Sequence, residues 1–419
     1  MGEMMKYTLR FLAFLSTINA LLIFIQPRDR AIKLLIWFPK MIAAALSPLM
    51  VVTGLLSALL GILQKDRILA WMGFLGAGLA ARFMAEIPDG RPQIASQLDS
   101  EKLAHLPRQM VGTVDFQPDL VIAQKPNTAK SLLADLWQPS PGSWRSGLGI
   151  IYAHGSGWRV GDKDMLTRPF FRHLVKQGHV VLDIAYSLYP EADLPTMVSE
   201  VNQAILWMKK NSQALQVNPD RVVLVGGSAG AHLSLLAAYA PQRPEFQPPG
   251  ERGDTTVRGV VAFYPVADMQ NAFAGAQNQS SQAPRLVDNL ADTLFNRIFN
   301  LHPAPKDDQG LHGSEYENYL VNLLGGSLEE IPEVYKMLSP ITHVNNDCPP
   351  TLILQGSDDV FELAPPARHL HRALLEAGVP AILVEYPHTE HGFDLILPQI
   401  SPVAQAATRE VDRFLAQMA

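Results

Sequence analysis

The stretch Gly226-Gly227-Ser228-Ala229-Gly230 is the part of this sequence that most strongly predicts a fold. It follows the short apolar run 221–225, typical of a buried parallel strand, and precedes 232–238, which favours a buried helix. A Gly-x-Ser-x-Gly sequence between a strand and a helix is the setting of a nucleophile elbow, a tight turn that exposes the serine hydroxyl. Gly226 and Gly230 would relieve crowding in that turn. The pattern predicts a catalytic Ser228, and the alternative is an ordinary Gly-Ser turn.

A second loop of small residues lies upstream, after the strand-like run 149–153. Its sequence is His154-Gly155-Ser156-Gly157-Trp158. Small side chains allow the backbone to approach a substrate carbonyl, as the donors of an oxyanion hole must. An ordinary glycine-rich turn is the alternative. The candidate oxyanion donors are the N–H groups of Gly155, Ser156 and Ala229, and the candidate supporting residues are His154 and Gly157.

Two strand-like runs near the end of the chain lead into polar loops. The run 351–355 ends in Gly356-Ser357-Asp358-Asp359, and 381–386 is followed by 387–393, which holds His388 and His391. In a catalytic triad a histidine takes the serine proton and an acid fixes the histidine tautomer. We expect His391 as the base, with His388 as its competitor and a solvated loop histidine as the alternative. Asp359 is preferred to Asp358 as the acid because it lies three residues past the strand-end glycine.

Over roughly residues 110–419, the chain resembles the hormone-sensitive-lipase and feruloyl-esterase-like (BD-FAE-like) branch of the α/β-hydrolases. Residues 154–163, HGSGWRVGDK, are similar to its HGGGW-x-x-GDK region, and residues 183–191, DIAYSLYPE, resemble its NYRLAPE segment. The resemblance implies an α/β fold with a mostly parallel eight-stranded sheet and helices on both faces. It also implies hydrolysis of carboxylic esters. The triad implied by the resemblance is Ser228, Asp359 and His391.

Two departures from that pattern lie close to the predicted nucleophile. Ser156 replaces the middle glycine of the oxyanion motif, so its N–H remains while its Cβ narrows the approach of the acyl group. Gly227 stands where the family often has an acidic residue. Neither change removes a catalytic group, but together they prevent the transfer of a substrate preference.

Residues 1–87 form a different kind of sequence, predicted to be a membrane-spanning segment of two to three helices. The run 41–63 has 23 residues without a charge, and a spanning helix needs about 20 apolar residues. The runs 9–25 and 68–87 are weaker candidates. A cleaved signal peptide is the alternative for 9–25, and a helical cap on the soluble domain is the alternative for the whole segment. Glycines at 54, 61 and 73 would allow close helix packing.

The remaining organisation follows from composition along the chain. Residues 88–109 are expected to be a linker, and residues 110–419 a catalytic domain with antiparallel edge strands between 111 and 137. The long insertion 269–313 is expected to form a lid, with disorder as the alternative, since insertions of that length are usually one or the other. The distribution of Lys and Arg favours a cytoplasmic catalytic domain.

Composition excludes several classes of function. The net charge of −6 and the absence of a basic tract argue against nucleic-acid binding. The single cysteine, Cys348, excludes internal disulfides. There is no zinc-ligand spacing, Walker A motif or dinucleotide fingerprint, so we expect neither a metal nor an organic cofactor. The sequence predicts a membrane-anchored serine hydrolase acting on a small-molecule or lipid ester. The alternatives are a peptidase or acyltransferase with the same triad, and an inactive hydrolase-fold binding protein.

Overall fold

The computed structural model of the protein describes residues 3–98, 113–125, 130–250, 252–272, 284–298 and 315–419. The helices discussed below are α1 (Glu3–Leu22), α2 (Arg30–Ala45), α3 (Ser47–Leu63), α4 (Arg67–Ala85), α5 (Arg91–Gln97), α6 (Arg168–Lys176), α7 (Leu194–Lys210), α8 (Ser212–Leu215), α9 (Ala229–Tyr239), α10 (Arg285–Ile298), α11 (Glu315–Leu324), α12 (Pro332–Met337), α13 (Ala364–Glu376) and α14 (Pro402–Met418). The strands are β1 (Val114–Gln124), β2 (Ser131–Pro139), β3 (Gly149–Ala153), β4 (Val180–Ile184), β5 (Val222–Gly227), β6 (Gly259–Phe263), β7 (Thr351–Gly356) and β8 (Ala381–Tyr386).

The strands form one eight-stranded sheet in the order β1-β2-β4-β3-β5-β6-β7-β8. The pairs β1/β2 and β2/β4 are antiparallel, and every pair from β4 to β8 is parallel. Strands β3 to β7 are buried along their whole length, which explains their almost uninterrupted apolar sequences. The predicted mostly parallel sheet is confirmed, and antiparallel strands stand at its edge as expected.

Helices cover both faces of the sheet, as predicted. One apolar core includes Val198 of α7, Leu235 of α9 and Leu370 of α13. The core on the other face includes Phe171 of α6 and Phe414 of α14. The sheet is therefore the middle layer of three, and the loops that leave its parallel strands at their carboxyl ends meet along one edge. Ligands of open α/β sheets bind at that edge.

The N-terminal segment differs from the prediction in one respect. The run 41–63 was expected to be one helix, but α2 ends at Ala45 and α3 begins at Ser47, and the two helices are bent by 68°. Pro48 stands in the first turn of α3, where its missing N–H costs nothing. Among the described residues, α4 alone is long and apolar enough to cross a membrane, and α2 with α3 passes the same test only as a bent pair.

The four N-terminal helices have two different surroundings. Helices α1, α3 and α4 pack mainly on one another. A Cβ at Gly73 would lie 2.4 Å from the Ala58 nitrogen, and one at Gly61 would lie 2.4 Å from the Ala70 nitrogen, so the predicted close packing of α3 on α4 through glycines is present. Helix α2 instead joins the main core through Leu34, Trp37 and Met41. The packing of α2 fits the cap alternative. All four helices also contribute to the core on the other face of the sheet, which contains Ala20 of α1, Ala43 of α2, Met50 of α3 and Phe83 of α4.

The expected linker and lid are described only in part. Helix α5 lies within 88–109 and is packed, since Ile94 is fully buried and the Gly90 N–H donates to Glu410 at 3.0 Å. Residues 99–112 lie outside the described residues. Of the predicted lid, 269–313, the structure describes residues 269–272 and α10, which contacts α2. The rest of the lid falls outside the described ranges.

Candidate active site

Ser228 stands at a strained turn between β5 and α9. Its φ is 54° and its ψ is −117°, a backbone conformation that residues other than glycine rarely adopt. The turn is tight enough that a Cβ at Gly226 would lie 2.5 Å from the Gly230 carbonyl carbon, and one at Gly230 only 1.9 Å from the Ala153 oxygen. Ser228 is half-buried although the flanking residues are buried. This is the geometry that the elbow motif predicts.

Three of the predicted side chains lie in one hydrogen-bonded array. Ser228 Oγ is 2.9 Å from His391 Nε2, and His391 Nδ1 is 2.8 Å from Asp359 Oδ2. Since a carboxylate only accepts, Nδ1 carries the proton and Nε2 is free to accept one from the serine. The array brings together the ends of β5, β7 and β8.

Asp359 is held by its own loop. Its Oδ2 accepts from Gln355 Nε2 at 2.9 Å, and its Oδ1 accepts from the Phe361 N–H at 2.9 Å. The two alternatives that the sequence left open point elsewhere. Asp358 Oδ2 lies 2.5 Å from Lys40 Nζ, and His388 Nε2 lies 3.1 Å from a carboxylate oxygen of Glu86.

The loop after β3 lies directly beside the serine. A Cβ at Gly155 would lie 3.1 Å from the Gly227 oxygen and 3.4 Å from Ser228 Cβ. Ser156 has a φ of 84°, an uncommon value for a residue with a Cβ, and its hydroxyl donates to the Met165 sulfur at 2.8 Å. Ala229 is the first residue of α9, where an N–H has no acceptor within the helix. Gly155 and Ser156 therefore line the same cavity as Ser228, and Ala229 directly follows the serine in the chain.

His154 is held by contacts with Tyr186. Its ring stacks on Tyr186 at a centroid distance of 4.4 Å, and the Tyr186 hydroxyl donates to the His154 carbonyl oxygen at 2.9 Å. Burial lowers the pKa of His154 to about 4. The ring is consequently neutral near pH 7 and supports the loop that carries Gly155 and Ser156.

The serine opens into an apolar cavity of about 240 Å³. Its lining includes the expected His154, Gly155, Ser156 and His391. It also includes three residues of α2, which the sequence did not assign to the site: Trp37, Phe38 and Met41. The other lining residues are Tyr152, Val160, Met165, Leu166, Gly227, Tyr264, Ile298, Phe361, Gly392, Leu395 and Ile396.

The contribution of α2 had only a weak signal in the sequence. Trp37 and Lys40 lie between the predicted runs 9–25 and 41–63, in a stretch for which no helix is predicted. The local signal for a helix there is Asp29, whose side chain accepts from the Ile32 N–H at 3.2 Å and so begins α2.

Burial changes the protonation of two acids next to the array. It raises the pKa of Glu390 to about 8 and that of Asp394 to about 6. Asp394 accepts a hydrogen bond from the Tyr264 hydroxyl, and the Tyr264 ring lies 4.4 Å from the ring of His391. The base is therefore enclosed by an aromatic ring and by acids that hold protons more tightly than usual.

Comparison with known proteins places this arrangement in a family. The sequence model of the BD-FAE family matches residues 135–374. The probable carboxylic ester hydrolase LipM of Mycobacterium tuberculosis is 29% identical over 265 residues, which cover 63% of this chain and 53% of LipM. Esterase LipQ of the same organism is 28% identical over 267 residues, covering 63% of this chain and 54% of LipQ. The chain therefore spans about half the length of these two relatives.

Solved structures share the fold. An inhibited esterase B from Lactobacillus rhamnosis covers 80% of this chain and 96% of its own, with a TM-score of 0.53 and 20% identity. Propionate-bound esterase 2 of Thermogutta terrifontis covers 74% and 95%, with a TM-score of 0.51 and 20% identity. With the elbow, the mostly parallel sheet and the matched residues taken together, the chain belongs to the BD-FAE family of α/β-hydrolases.

Proposed function

We propose that this protein is a membrane-attached serine hydrolase that cleaves carboxylic esters with Ser228 as nucleophile, His391 as base and Asp359 as acid. The observation that carries the proposal is the continuous array from Asp359 Oδ2 through His391 to Ser228 Oγ, with distances of 2.8 and 2.9 Å, opening on an apolar cavity. The similarity to LipM, a probable carboxylic ester hydrolase, and to esterase LipQ supports the reaction class.

The array supports the following acylation step. His391 Nε2 takes the Ser228 proton as Oγ attacks the ester carbonyl carbon. The carbon–oxygen bond to the alcohol then breaks, and His391 returns the proton to the leaving oxygen. In the second half, water loses a proton to His391 and adds to the acyl carbon. The bond between the acyl carbon and Ser228 Oγ then breaks, which releases the acid, and His391 returns the proton to Oγ.

The tetrahedral intermediate carries a negative oxygen in each half of the cycle. The N–H groups of Gly155, Ser156 and Ala229 are the proposed donors to it, with His154, Gly157, Gly226 and Gly230 shaping the two loops. Losing one oxyanion donor typically costs about 100- to 1000-fold in kcat. Ser156 has a positive φ although it is not a glycine. An uncommon backbone conformation at this position supports a role for the backbone N–H rather than for the side chain.

The cavity favours an apolar acyl group. Its walls are mostly aromatic and aliphatic, and Ile298 at the end of α10 belongs to them. Since α10 belongs to the insertion 269–313, this contact supports a lid over the acyl site. Small-molecule or lipid esters with an apolar acyl chain are the substrate class we propose.

The membrane attachment is proposed for α1, α3 and α4. These helices expose large apolar side chains to solvent, and soluble monomers rarely expose contiguous apolar patches of more than a few hundred Å². The 19 residues of α4 correspond to about 28 Å at 1.5 Å per residue, close to the thickness of a bilayer core. The most exposed of these side chains are Met4, Tyr7, Phe11, Leu12, Leu49, Val52, Leu55, Leu56, Leu59, Ile62, Leu63, Ile68, Trp71 and Leu75.

A fluorophosphonate probe on the detergent-solubilised full chain tests the hydrolase. We expect the wild type to be labelled and to hydrolyse p-nitrophenyl esters, and Ser228→Ala and His391→Ala to do neither. Labelling that persists in Ser228→Ala would show that the nucleophile is wrong. A folded wild type that neither labels nor hydrolyses would favour a binding role, and turnover of amides or transfer to alcohols would favour the peptidase or acyltransferase alternative.

A further inference from the structure

Lys40 is a buried cation in an otherwise apolar part of α2. Its side chain is 1% exposed, whereas lysine is almost never fully buried unless it is paired. Its ammonium lies 2.5 Å from Asp358 Oδ2 and 3.2 Å from Glu390 Oε1, and it donates to the Ile25 carbonyl oxygen at 3.0 Å. All three donors of the ammonium therefore have partners.

The two carboxylates belong to the two loops that complete the candidate triad. Asp358 precedes Asp359 in the loop after β7, and Glu390 precedes His391 in the loop after β8. The loops also touch through the Asp358 N–H, which donates to the Thr389 oxygen at 3.0 Å. A displacement of either carboxylate would move the neighbouring Asp359 or His391, because consecutive residues share a peptide bond.

The charges require a cation at this point. Asp358, Asp359 and Glu390 bring three carboxyl groups into one buried cluster, and Lys40 is the basic residue that contacts two of them. Its charge opposes the rise in the pKa of Glu390 that burial and the neighbouring acids cause. Without Lys40, Asp358 would lose the cation that compensates its buried charge and the pKa of Glu390 would rise further, so one loop or both would have to move.

A second contact from the same helix reaches the base directly. Trp37, one turn before Lys40, donates from Nε1 to the carbonyl oxygen of His391 at 2.9 Å. The Trp37 ring also meets Phe361, in the loop of Asp359, at a centroid distance of 5.3 Å. Lys40 and Trp37 of α2 thus each contact both triad loops, Lys40 through its charge and Trp37 through its ring.

We infer that Lys40 is a positioning residue, which joins the loops of Asp359 and His391 and so couples the N-terminal segment to the active site. The inference rests on the proposed hydrolase function. Its consequence is that the N-terminal segment does more than attach the enzyme to a membrane. Part of it is required to place the acid and the base.

The test compares Lys40→Met with Lys33→Met in the detergent-solubilised full chain. Lys33 is a matched control because it lies on the same helix and pairs with Glu362 at 2.5 Å, but in a partly exposed position. Folding of each variant is checked by circular dichroism and thermal melting. We expect Lys40→Met to lower kcat and the rate of fluorophosphonate labelling by about 10- to 100-fold, the typical cost of a small misplacement of catalytic groups, with KM within about twofold. Lys33→Met should match the wild type.

A pH profile separates positioning from a general loss of stability. The titratable groups around His391 are Asp359 and Asp358 after β7, Glu390 and Asp394 after β8, Tyr264 after β6, and Lys40 on α2. Removing the cation leaves an excess of acids, which favours the protonated imidazole. The acidic limb of kcat/KM should therefore move to higher pH in Lys40→Met and stay in place in Lys33→Met.

The outcomes are distinguishable. A folded Lys40→Met with wild-type kcat, labelling rate and pH profile would overturn the inference and leave the proposed function intact. If Lys40→Met does not fold, Asp358→Asn decides, because it breaks the same ion pair with a side chain of the same shape: a labelling rate within about twofold of wild type would overturn the inference. A wild type that is never labelled would refute the proposed function and this inference with it.

Discussion

Trp37 and His391 are hydrogen-bonded although 354 positions separate them in the chain. The indole Nε1–H of Trp37 donates to the carbonyl oxygen of His391 at 2.9 Å, on the buried side of the candidate base. This contact places a helix from the apolar N-terminal segment inside the catalytic site. The N-terminal helices and the candidate active site are therefore physically connected in this protein.

The identity of the triad acid can be decided by two neighbouring substitutions. Asp359→Asn should lower kcat by about 10,000-fold, because an amide stabilises the wrong tautomer of the histidine. Asp358→Asn should cost far less, since Asp358 contacts Lys40 rather than His391. Steady-state hydrolysis of p-nitrophenyl butanoate measures both. A larger loss in Asp358→Asn than in Asp359→Asn would reverse the assignment.

Met41 should limit the length of the acyl chain. It lines the cavity beside Ser228, so Met41→Ala is expected to extend the acyl site. The ratio of kcat/KM for p-nitrophenyl dodecanoate to that for p-nitrophenyl butanoate should rise by about tenfold. This is the change in selectivity expected when a hydrophobic pocket gains room for one methylene group. Ile42→Ala is the matched control, because Ile42 is the next residue on α2 and is exposed. An unchanged ratio in Met41→Ala would exclude this wall from the acyl site.

Gly230→Ala should prevent correct folding of the elbow. The added Cβ would lie 1.9 Å from the Ala153 oxygen, and backbone cannot yield as a flexible side chain can. We expect the free energy of unfolding to fall by at least about 3 kcal/mol, which is the upper end of the usual cost of overpacking a core. Gly78→Ala is the control, since nothing lies within 4 Å of its Cβ position. Thermal melting should separate the two variants, and equal melting temperatures would contradict the elbow geometry.

Glu390 should make stability fall as the pH rises. Burial raises the pKa of Glu390 from its ordinary 4.5 to about 8 in the folded state. Between the two pKa values, the folded protein holds a proton on Glu390 that the unfolded chain has released. The stability that this proton contributes is therefore complete at a pH below 4.5 and is lost as the pH rises through about 8. From pH of about 5 to about 9, wild type should lose a few kcal/mol relative to Glu390→Gln. The exposed Glu329→Gln should melt in parallel with wild type.

The membrane surface can be tested by adding charge to it. Leu55→Glu with Leu59→Glu places two carboxylates on the exposed face of α3, at a cost of about 2.5 to 3.5 kcal/mol for each charge inside a bilayer. Flotation with phosphatidylcholine vesicles at high salt should fall sharply for this double variant. Leu375→Glu, on an exposed part of α13, should float as wild type does. Equal flotation of all three proteins would remove α3 from the membrane proposal.

The sequence alone predicted the catalytic domain well, for a local reason. Each motif lies where a buried strand ends, and the carboxyl ends of parallel strands meet at one edge, so the order of Ser228, Asp359 and His391 along the chain was sufficient to propose their meeting. The tight turn at Ser228 was equally visible, since Gly226 and Gly230 are required within five residues of sequence.

Other features depended on contacts between distant parts of the chain. The hydropathy of 41–63 predicted one span because hydropathy does not depend on the direction of the chain. In the structure the chain bends at Leu46, so that α2 packs on the domain of the sheet whereas α3 packs on α1 and α4. Lys40 and Asp358 lie 318 positions apart, and no local pattern relates them. The sequence by itself therefore determined the candidate residues for the chemistry, because each lies in a short motif at the end of a strand. Only the tertiary structure decided which helix encloses them, because burying a lysine requires acids that folding alone brings to it.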